Sequence, residues 1–195
     1  LFSESFRKQE KAIGAIATLA VAVPFVLVLV LFLNGAHTHM ELMSWMAVGD
    51  FSIAFGYTLD SLGLLMGLIV TGVGALIHVY SIGYMHGDPG FYKYFAYLNL
   101  FIFAMLNLIL GDNLLVTFLG WEGVGACSYF LIGFWYTDML KAKAAQKAFV
   151  VNRIGDFAFL VAIFICVFAV GSLQYDAILS GVDTGLLPGD ARFWI

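Results

Sequence analysis

The sequence predicts an all-α integral membrane protein of about five transmembrane helices, with a short β-hairpin in an outer loop. Hydrophobic residues make up 62% of the 195 residues and charged residues only 11%, so the chain lacks the polar groups that cover a soluble globule. Five apolar stretches approach the roughly 20 residues that cross a bilayer core as a helix. They lack the alternation of barrel strands, and only helices and closed barrels satisfy their backbone in lipid.

The predicted spans follow from these stretches. They cover approximately residues 12–33, 60–85, 94–111, 113–136 and 146–170. The turn sequence Gly111-Asp112-Asn113 joins the third and fourth spans into an antiparallel helical hairpin. Asp60 and Asp112, at span ends, are interpreted as helix caps or solvated residues.

The ends of the chain indicate a piece of a longer protein. It begins with Leu1-Phe2 rather than with Met, and it closes on Phe193-Trp194-Ile195 as apolar character returns. The opening segment has no signal-peptide cleavage pattern, so the first apolar run is predicted to be a span. We expect residues 1–195 to be the N-terminal part of one membrane domain.

Basic residues outside the spans, or at the edge of one, orient the chain. One set of loops holds seven of them and the other set holds Arg192 alone; the seven are Arg7, Lys8, Lys11, Lys93, Lys141, Lys143 and Lys147. By the positive-inside rule the first set is cytoplasmic, which places the N-terminus there and the C-terminus on the opposite side. A net charge of −4 excludes a basic nucleic-acid-binding surface, so no nucleic-acid partner is expected.

The outer loop, residues 34–59, has the pattern of a β-hairpin. Met46-Ala47-Val48 and Phe51–Tyr57 flank Gly49-Asp50, a favourable two-residue turn, and large residues occupy every second position of the second segment. Because an isolated hairpin is marginally stable, we expect a neighbouring surface for it. The alternative is an irregular amphipathic loop lying on the bilayer.

Three charged residues fall inside predicted spans, where each charge is costly. Glu122 lies near the middle of the fourth span, on a face of mostly small residues that should point into the bundle. Desolvation favours a neutral carboxyl and a nearby cation favours the charged form, so Glu122 is a candidate proton relay. The alternative is a permanently protonated Glu that donates an interhelical hydrogen bond.

Arg153 and Asp156 are three residues apart and therefore neighbours on one face of the fifth span. They are interpreted either as an intrahelical pair that only lowers the cost of insertion, or as a counter-charge that tunes a carboxylate or lysine on an adjacent helix. His78, on the second span, could relay protons through its two ring nitrogens or serve as an interhelical hydrogen-bonding group. Asn99 and Asn107 are interpreted as packing residues.

No redox or metal site is indicated. Cys127 and Cys166 lie inside spans without CxxC or CxxH spacing, and His37 and His39 would need further ligands to hold a metal. The chain also carries no glycine-rich phosphate-binding loop.

Two stretches carry a resemblance to a known family. Gly120-Trp121-Glu122-Gly123-Val124-Gly125-Ala126 and Asn152-Arg153-Ile154-Gly155-Asp156 closely resemble the subunit L (chain 5) family of NADH-quinone oxidoreductase, the antiporter-like subunits of respiratory complex I. The stretch Val70–His78 supports it. The resemblance covers nearly the whole chain.

The resemblance implies a bundle of more than a dozen helices that forms two proton half-channels. Electron transfer in other subunits drives them, so NADH, FMN, iron–sulfur clusters and quinone are expected in those partners and no cofactor in this chain. Glu122 matches the intramembrane glutamate of the family, which pairs with a lysine on a later helix. Arg153 and Asp156 match a charged pair, and His78 matches a position less firmly tied to transport.

The resemblance therefore implies a proton-translocating membrane subunit of an NADH:quinone oxidoreductase, located in a bacterial inner membrane among other membrane and peripheral subunits. The first helix of the family and the partner lysine are expected to lie outside these 195 residues. The alternative is the large subunit of a multi-subunit cation/proton antiporter, which shares the membrane glutamate. A third interpretation is that the charges only hold helices together.

Overall fold

The computed structural model describes residues 9–48 and 51–183 of the chain. Its elements, in chain order, are α1 (Glu10–Leu33), β1 (Thr38–Val48), β2 (Phe51–Leu59), α2 (Ser61–Tyr84), α3 (Phe91–Leu110), α4 (Leu114–Ile132), α5 (Met139–Val170) and α6 (Tyr175–Asp183). In the described part, five helices, α1 to α5, are long and apolar enough to cross a membrane. The predicted fold class, an all-α membrane protein with a small hairpin, is confirmed.

The helix bounds differ from the predicted spans mainly on the basic side of the bundle. Helix α4 ends at Ile132 rather than near residue 136, and α5 begins at Met139 rather than near residue 146. The physical reason is local. A span drawn from hydropathy leaves out the lysine-rich first turns of α5, whereas the helix itself begins at its cap and contains them. The Asp138 carboxylate accepts a hydrogen bond from the Leu140 N–H at 3.0 Å, which begins the helix and lowers the Asp138 pKa.

Caps also position the other helix starts. The Asp60 carboxylate accepts from the Gly63 N–H at 2.6 Å, in agreement with its predicted role as a cap. At the start of α4 the cap is Asn113, whose Oδ1 accepts from the Leu115 and Val116 N–H groups, each at 3.0 Å. These bonds satisfy amide groups that a helix leaves unpaired at its first turn.

Helix α4 packs between α3 and α5, and α3 also contacts α1 and α2. The approach of α4 to α3 depends on Gly120, because a Cβ at that position would lie 2.6 Å from Leu108 Cα and 2.8 Å from the Ala104 carbonyl oxygen. Both are backbone atoms that cannot rotate away. Small residues permit such close helix contacts in membranes, where van der Waals packing is a main source of association.

The outer loop forms the predicted antiparallel hairpin, with strands longer than expected. Pairing runs from Thr38↔Leu59 to Val48↔Phe51, and the register shifts by one residue at Leu42 and again at Trp45. The predicted turn residues Gly49 and Asp50 lie outside the described part of the chain. One shifted residue on one strand is the pattern of a β-bulge, which bends the hairpin.

The hairpin lies against the outer ends of the helices, which provide the surface that its marginal stability requires. Ile53 is buried with Ile163 of α5 and Leu173 of the following turn. The Tyr57 hydroxyl donates to Asn107 Oδ1 at 2.6 Å, and the Asn113 side chain donates to the Ala54 carbonyl at 2.9 Å. Burial raises the pKa of Tyr57, so its hydroxyl remains a donor at neutral pH.

Candidate functional site

The candidate site lies between α4 and α5, in the middle of both helices. The buried side of α4 is formed by Val116, Gly120 and Cys127. Glu122 is therefore on a different face, and that face meets α5, which supplies Arg153 and Asp156. The fold brings the three charged residues of the spans into one cluster, which we call the charge triad.

Arg153 is the central member of the charge triad. Its guanidinium Nη1 donates to Glu122 Oε2 on the neighbouring helix, and the same nitrogen lies 3.3 Å from Asp156 Oδ2 on its own helix. The guanidinium carbon is 4.7 Å from the centre of the Phe149 ring. One cation thus serves two carboxylates, an arrangement that lowers the cost of keeping all three groups in a membrane interior.

Asp156 is the most buried member, with 7% of its side chain exposed. Its second oxygen, Oδ1, accepts a hydrogen bond from the indole Nε1 of Trp121 at 2.7 Å. Sequence reasoning did not identify Trp121 as a functional residue. The signal in the sequence was that Trp121 is next to Glu122. That signal becomes useful only when the packing of α4 against α5 is known, because the packing brings Trp121 to Asp156.

Glu122 and Arg153 lie at the surface of the described bundle, where 24% and 45% of their side chains are exposed. We expected the Glu122 face to point into the bundle, and within residues 9–48 and 51–183 it is covered only in part. Beside the triad lies a cavity of about 380 Å³ lined by Trp121, Ser128, Asn152, Asp156 and apolar residues of α3. Its polar lining could hold water next to Asp156.

His78 is separate from the charge triad. It lies on α2, whose main helix neighbours are α1 and α3, and its ring packs against Phe95 of α3 with centroids 5.9 Å apart. The residue is fully buried, and Nδ1 lies 2.8 Å from the Gly74 carbonyl oxygen. This contact makes Nδ1 the protonated nitrogen, which leaves Nε2 as an acceptor without a hydrogen-bond partner among the described residues.

A second polar cluster holds the hairpin to the helices at the outer end. Asp112 was expected to be a cap or a solvated residue, but it is buried, with only 5% exposed. Its Oδ2 lies 3.1 Å from His39 Nε2, and its Oδ1 accepts from the Asn113 side chain at 2.6 Å. The expectation was wrong because the hairpin covers the turn between α3 and α4, which sequence alone could not show.

The remaining polar residues and the two cysteines lie apart from the charge triad. The Asn107 side chain donates to the Phe103 carbonyl and Asn99 donates to the Phe95 carbonyl, both within α3. Cys127 and Cys166 are free thiols. His37 and His39 have different neighbours, since His37 Nε2 lies 3.4 Å from the Ser61 hydroxyl.

Two protein-family models match the chain. A family model described as NADH-Ubiquinone oxidoreductase (complex I), chain 5 N-terminus matches residues 45–95, and one described as NADH:quinone oxidoreductase/Mrp antiporter, TM matches residues 111–191. The second match contains the whole charge triad. Together the two matches take in more than half of the chain.

A solved structure, the Mrp complex from Dietzia sp. DQ12-45-1b, has the same fold over 97% of this chain and 22% of its own, with a TM-score of 0.76 and 24% identity. The fold and the family models define an antiporter-like membrane subunit. The chain belongs to the NADH:quinone oxidoreductase/Mrp antiporter transmembrane family.

Curated relatives within this family carry the name NADH-quinone oxidoreductase subunit L. The subunit of Escherichia coli (strain K12) is 49% identical over 164 residues, which are 84% of this chain and 26% of the relative. That of Campylobacter jejuni is 43% identical over 183 residues, which are 92% of this chain and 30% of the relative. The chain thus spans between a quarter and a third of the length of these relatives.

Proposed function

We propose that this chain forms part of a proton half-channel in a membrane subunit of NADH-quinone oxidoreductase, driven by electron transfer in other subunits. The charge triad supports this proposal most directly, because three ionisable groups meet between two membrane helices, where charges are otherwise excluded. Relatives at 43% and 49% identity that are named subunit L support the assignment to that complex.

Glu122 is the proton-binding group in this proposal. While ionised, it accepts a charge-assisted hydrogen bond from Arg153, and a protonated Glu122 loses that attraction. The guanidinium then remains with Asp156, which already lies 3.3 Å from the same nitrogen. Arg153 and Asp156 thus tune how readily Glu122 takes up and releases a proton, without changing protonation themselves.

The partly exposed side of the triad indicates where the proton goes next. Glu122 and Arg153 are incompletely covered by the described residues. We propose that a helix beyond them covers this face and supplies a neutral lysine amine. The amine takes the proton from Glu122, which leaves an ionised Glu122 and a lysine ammonium. The 195-residue chain by itself is then unable to move protons across a membrane.

His78 is proposed as an input relay on the basic side of Glu122. Its unpartnered Nε2 can accept a proton, and its Nδ1–H is held by the Gly74 carbonyl. A ring with one free acceptor and one donor can pass a proton from one side to the other.

The proposed setting is the inner membrane of a bacterium, among the other membrane and peripheral subunits of the complex. Lys93, Lys141, Lys143 and Lys147 lie at one end of the helices, and that end is proposed to face the cytoplasm. NADH, FMN, iron–sulfur clusters and quinone are proposed to bind in the partner subunits.

The alternative is a large subunit of a multi-subunit cation/proton antiporter, whose fold is compatible with this one. The curated relatives at 43% and 49% identity favour the respiratory subunit. The two functions differ in their driving force. In membrane vesicles, proton movement that requires NADH oxidation supports the respiratory subunit, and movement that requires only a sodium gradient supports the antiporter.

The decisive experiment is Glu122→Gln in the complete protein, with the number of protons pumped per electron as the readout. Gln keeps the shape and a hydrogen-bonding group but cannot exchange a proton, so the number of protons pumped per electron should fall by the share that this subunit contributes. Glu41→Gln, at an exposed site on the hairpin, is the matched control and should leave the ratio unchanged. An unchanged ratio in Glu122→Gln would remove the proposed role.

A further inference from the structure

Trp121 connects α4 to the buried end of the charge triad. Its indole Nε1 donates to Asp156 Oδ1 at 2.7 Å, while Arg153 lies 3.3 Å from the other oxygen of the same carboxylate. Trp121 and Glu122 are adjacent on α4, so one short segment of that helix supplies both the donor to Asp156 and the partner of Arg153. The four side chains form a continuous chain of contacts across the helix interface.

The indole ring is held in place by its neighbours. The indole meets the Phe159 ring edge-on, with ring centroids 5.8 Å apart and an interplanar angle of 90°. Phe118, one turn earlier on α4, also packs against the Phe159 ring, with centroids 5.4 Å apart. Phe159 lies three residues after Asp156, on the same side of α5. Although 46% of Trp121 is exposed, the contact with Phe159 and the bond to Asp156 hold the indole N–H against α5.

An indole N–H donates hydrogen bonds and accepts none, and it does not ionise in the physiological range. It therefore favours the ionised form of Asp156, whatever the protonation state of Glu122. The carboxylate is 7% exposed, and Arg153 is its other partner among the side chains of the described residues. A buried charged carboxylate is costly unless it is both paired with a cation and hydrogen-bonded.

We propose that Trp121 is a positioning residue that keeps Asp156 ionised and oriented as the second counter-ion of Arg153. The inference rests on the proposed function, in which Glu122 exchanges a proton. When Glu122 is protonated, Arg153 needs another anion at a fixed place, and Trp121 holds that anion there. Without the indole N–H, Asp156 binds Arg153 less well, Arg153 stays with Glu122, and the attraction between them opposes protonation of Glu122.

The groups that face the triad from each packed element are few. Helix α4 contributes Glu122 as the charged group, and α5 contributes Arg153 and Asp156. Helix α3 lines the adjoining cavity with uncharged residues, namely Phe101, Met105 and Leu108. Asp176 and Tyr175 of α6 lie around a different cavity at the outer end. Among the described residues, the competition for Arg153 is between Glu122 and Asp156.

The test is Trp121→Phe in the complete enzyme in native membrane vesicles, with NADH-driven proton pumping followed against pH. Phe keeps an aromatic ring against Phe159 and removes the N–H. The alkaline half-point of pumping should move to lower pH by about one unit, since a charge-assisted hydrogen bond is comparable to the free energy of one pH unit. Trp135→Phe, which removes a bond of 3.0 Å from the exposed Trp135 to Asp88, is the matched control and should not move it.

The outcomes separate this inference from the proposed function. If Trp121→Phe keeps the wild-type pH profile while Glu122→Gln in the same preparation pumps fewer protons per electron, the role of Trp121 is wrong and the proposed function stands. If Glu122→Gln pumps normally, both are wrong. A shift in Trp121→Phe together with loss in Glu122→Gln supports both.

A second measurement does not depend on assembly of the Trp121→Phe enzyme. Replacing Asp156 with Asn weakens the acceptor of the indole bond, so the infrared N–H stretch of one tryptophan should rise in frequency in Asp156→Asn relative to wild type. An unchanged N–H band would overturn the proposal, because it would mean that Asp156 does not accept the bond.

Discussion

Replacing Gly120 with Ala should destabilise the protein through the backbone contact between α3 and α4. The new Cβ would lie 2.6 Å from Leu108 Cα, whereas ordinary contacts begin at 3.4 Å. The two helices must separate by most of an ångström, because the opposing atoms belong to the backbone. Overpacking of this kind costs about 1–3 kcal/mol. The separation would also displace Trp121 and Glu122 relative to α5.

Gly125→Ala on the same helix is the matched control, because a Cβ there meets nothing within 4 Å. Both substitutions gain about 1 kcal/mol of helix propensity, so the difference between them isolates the packing cost. We would measure the free energy of unfolding of both variants by titration with a denaturing detergent. Equal stabilities would refute the assignment of Gly120 as the contact that sets the distance between α3 and α4.

The other predictions concern the outer end of the bundle. Tyr57→Phe leaves buried Asn107 Oδ1 without its donor and should cost about 1–3 kcal/mol of unfolding free energy, whereas Tyr80→Phe, at an exposed site, should cost little. Asp112→Ala removes the acceptor for His39 and Asn113, so the backbone amides of the hairpin should exchange hydrogen faster, as measured by mass spectrometry. Unchanged exchange rates would contradict the role of Asp112 in holding the hairpin to the helices. Burial, and then the Asp112 charge, raise the Tyr175 pKa, although the Thr117 bond opposes this. The contribution of Tyr175 to stability should thus persist below about pH 10 and be lost as pH rises through the raised pKa. The tyrosinate absorbance that wild type has and Tyr175→Phe lacks should appear at higher pH than the absorbance of the exposed tyrosines.

Much of the membrane architecture could be predicted because it depends on local properties. Helix length and apolarity are set by the bilayer, so the five spans follow from hydropathy. The proximity of Arg153 and Asp156 follows from helical periodicity and appears as a contact of 3.3 Å. The hairpin follows from alternation around a favourable turn.

What could not be predicted depends on packing between elements. The partner of Asp156 is Trp121, whose indole looked like an ordinary apolar residue until the relative rotation of α4 and α5 was known. Asp112 lies in a turn whose sequence is typical of solvated turns, yet the hairpin buries it. The start of α5 at Met139 depends on a cap rather than on hydropathy. In each case a distant segment or a single hydrogen bond overrides the local pattern.

The central claim is that Glu122 changes its protonation state during turnover, and that Arg153 then pairs with Asp156 in place of Glu122. Infrared difference spectra of the complete enzyme, recorded with and without NADH, test this claim most directly. We predict a carboxylic acid C=O band that appears and disappears with turnover and is missing in Glu122→Gln. A difference spectrum in which Glu122→Gln and wild type have the same carboxyl bands would contradict the claim, and would leave the charge triad with a structural role alone.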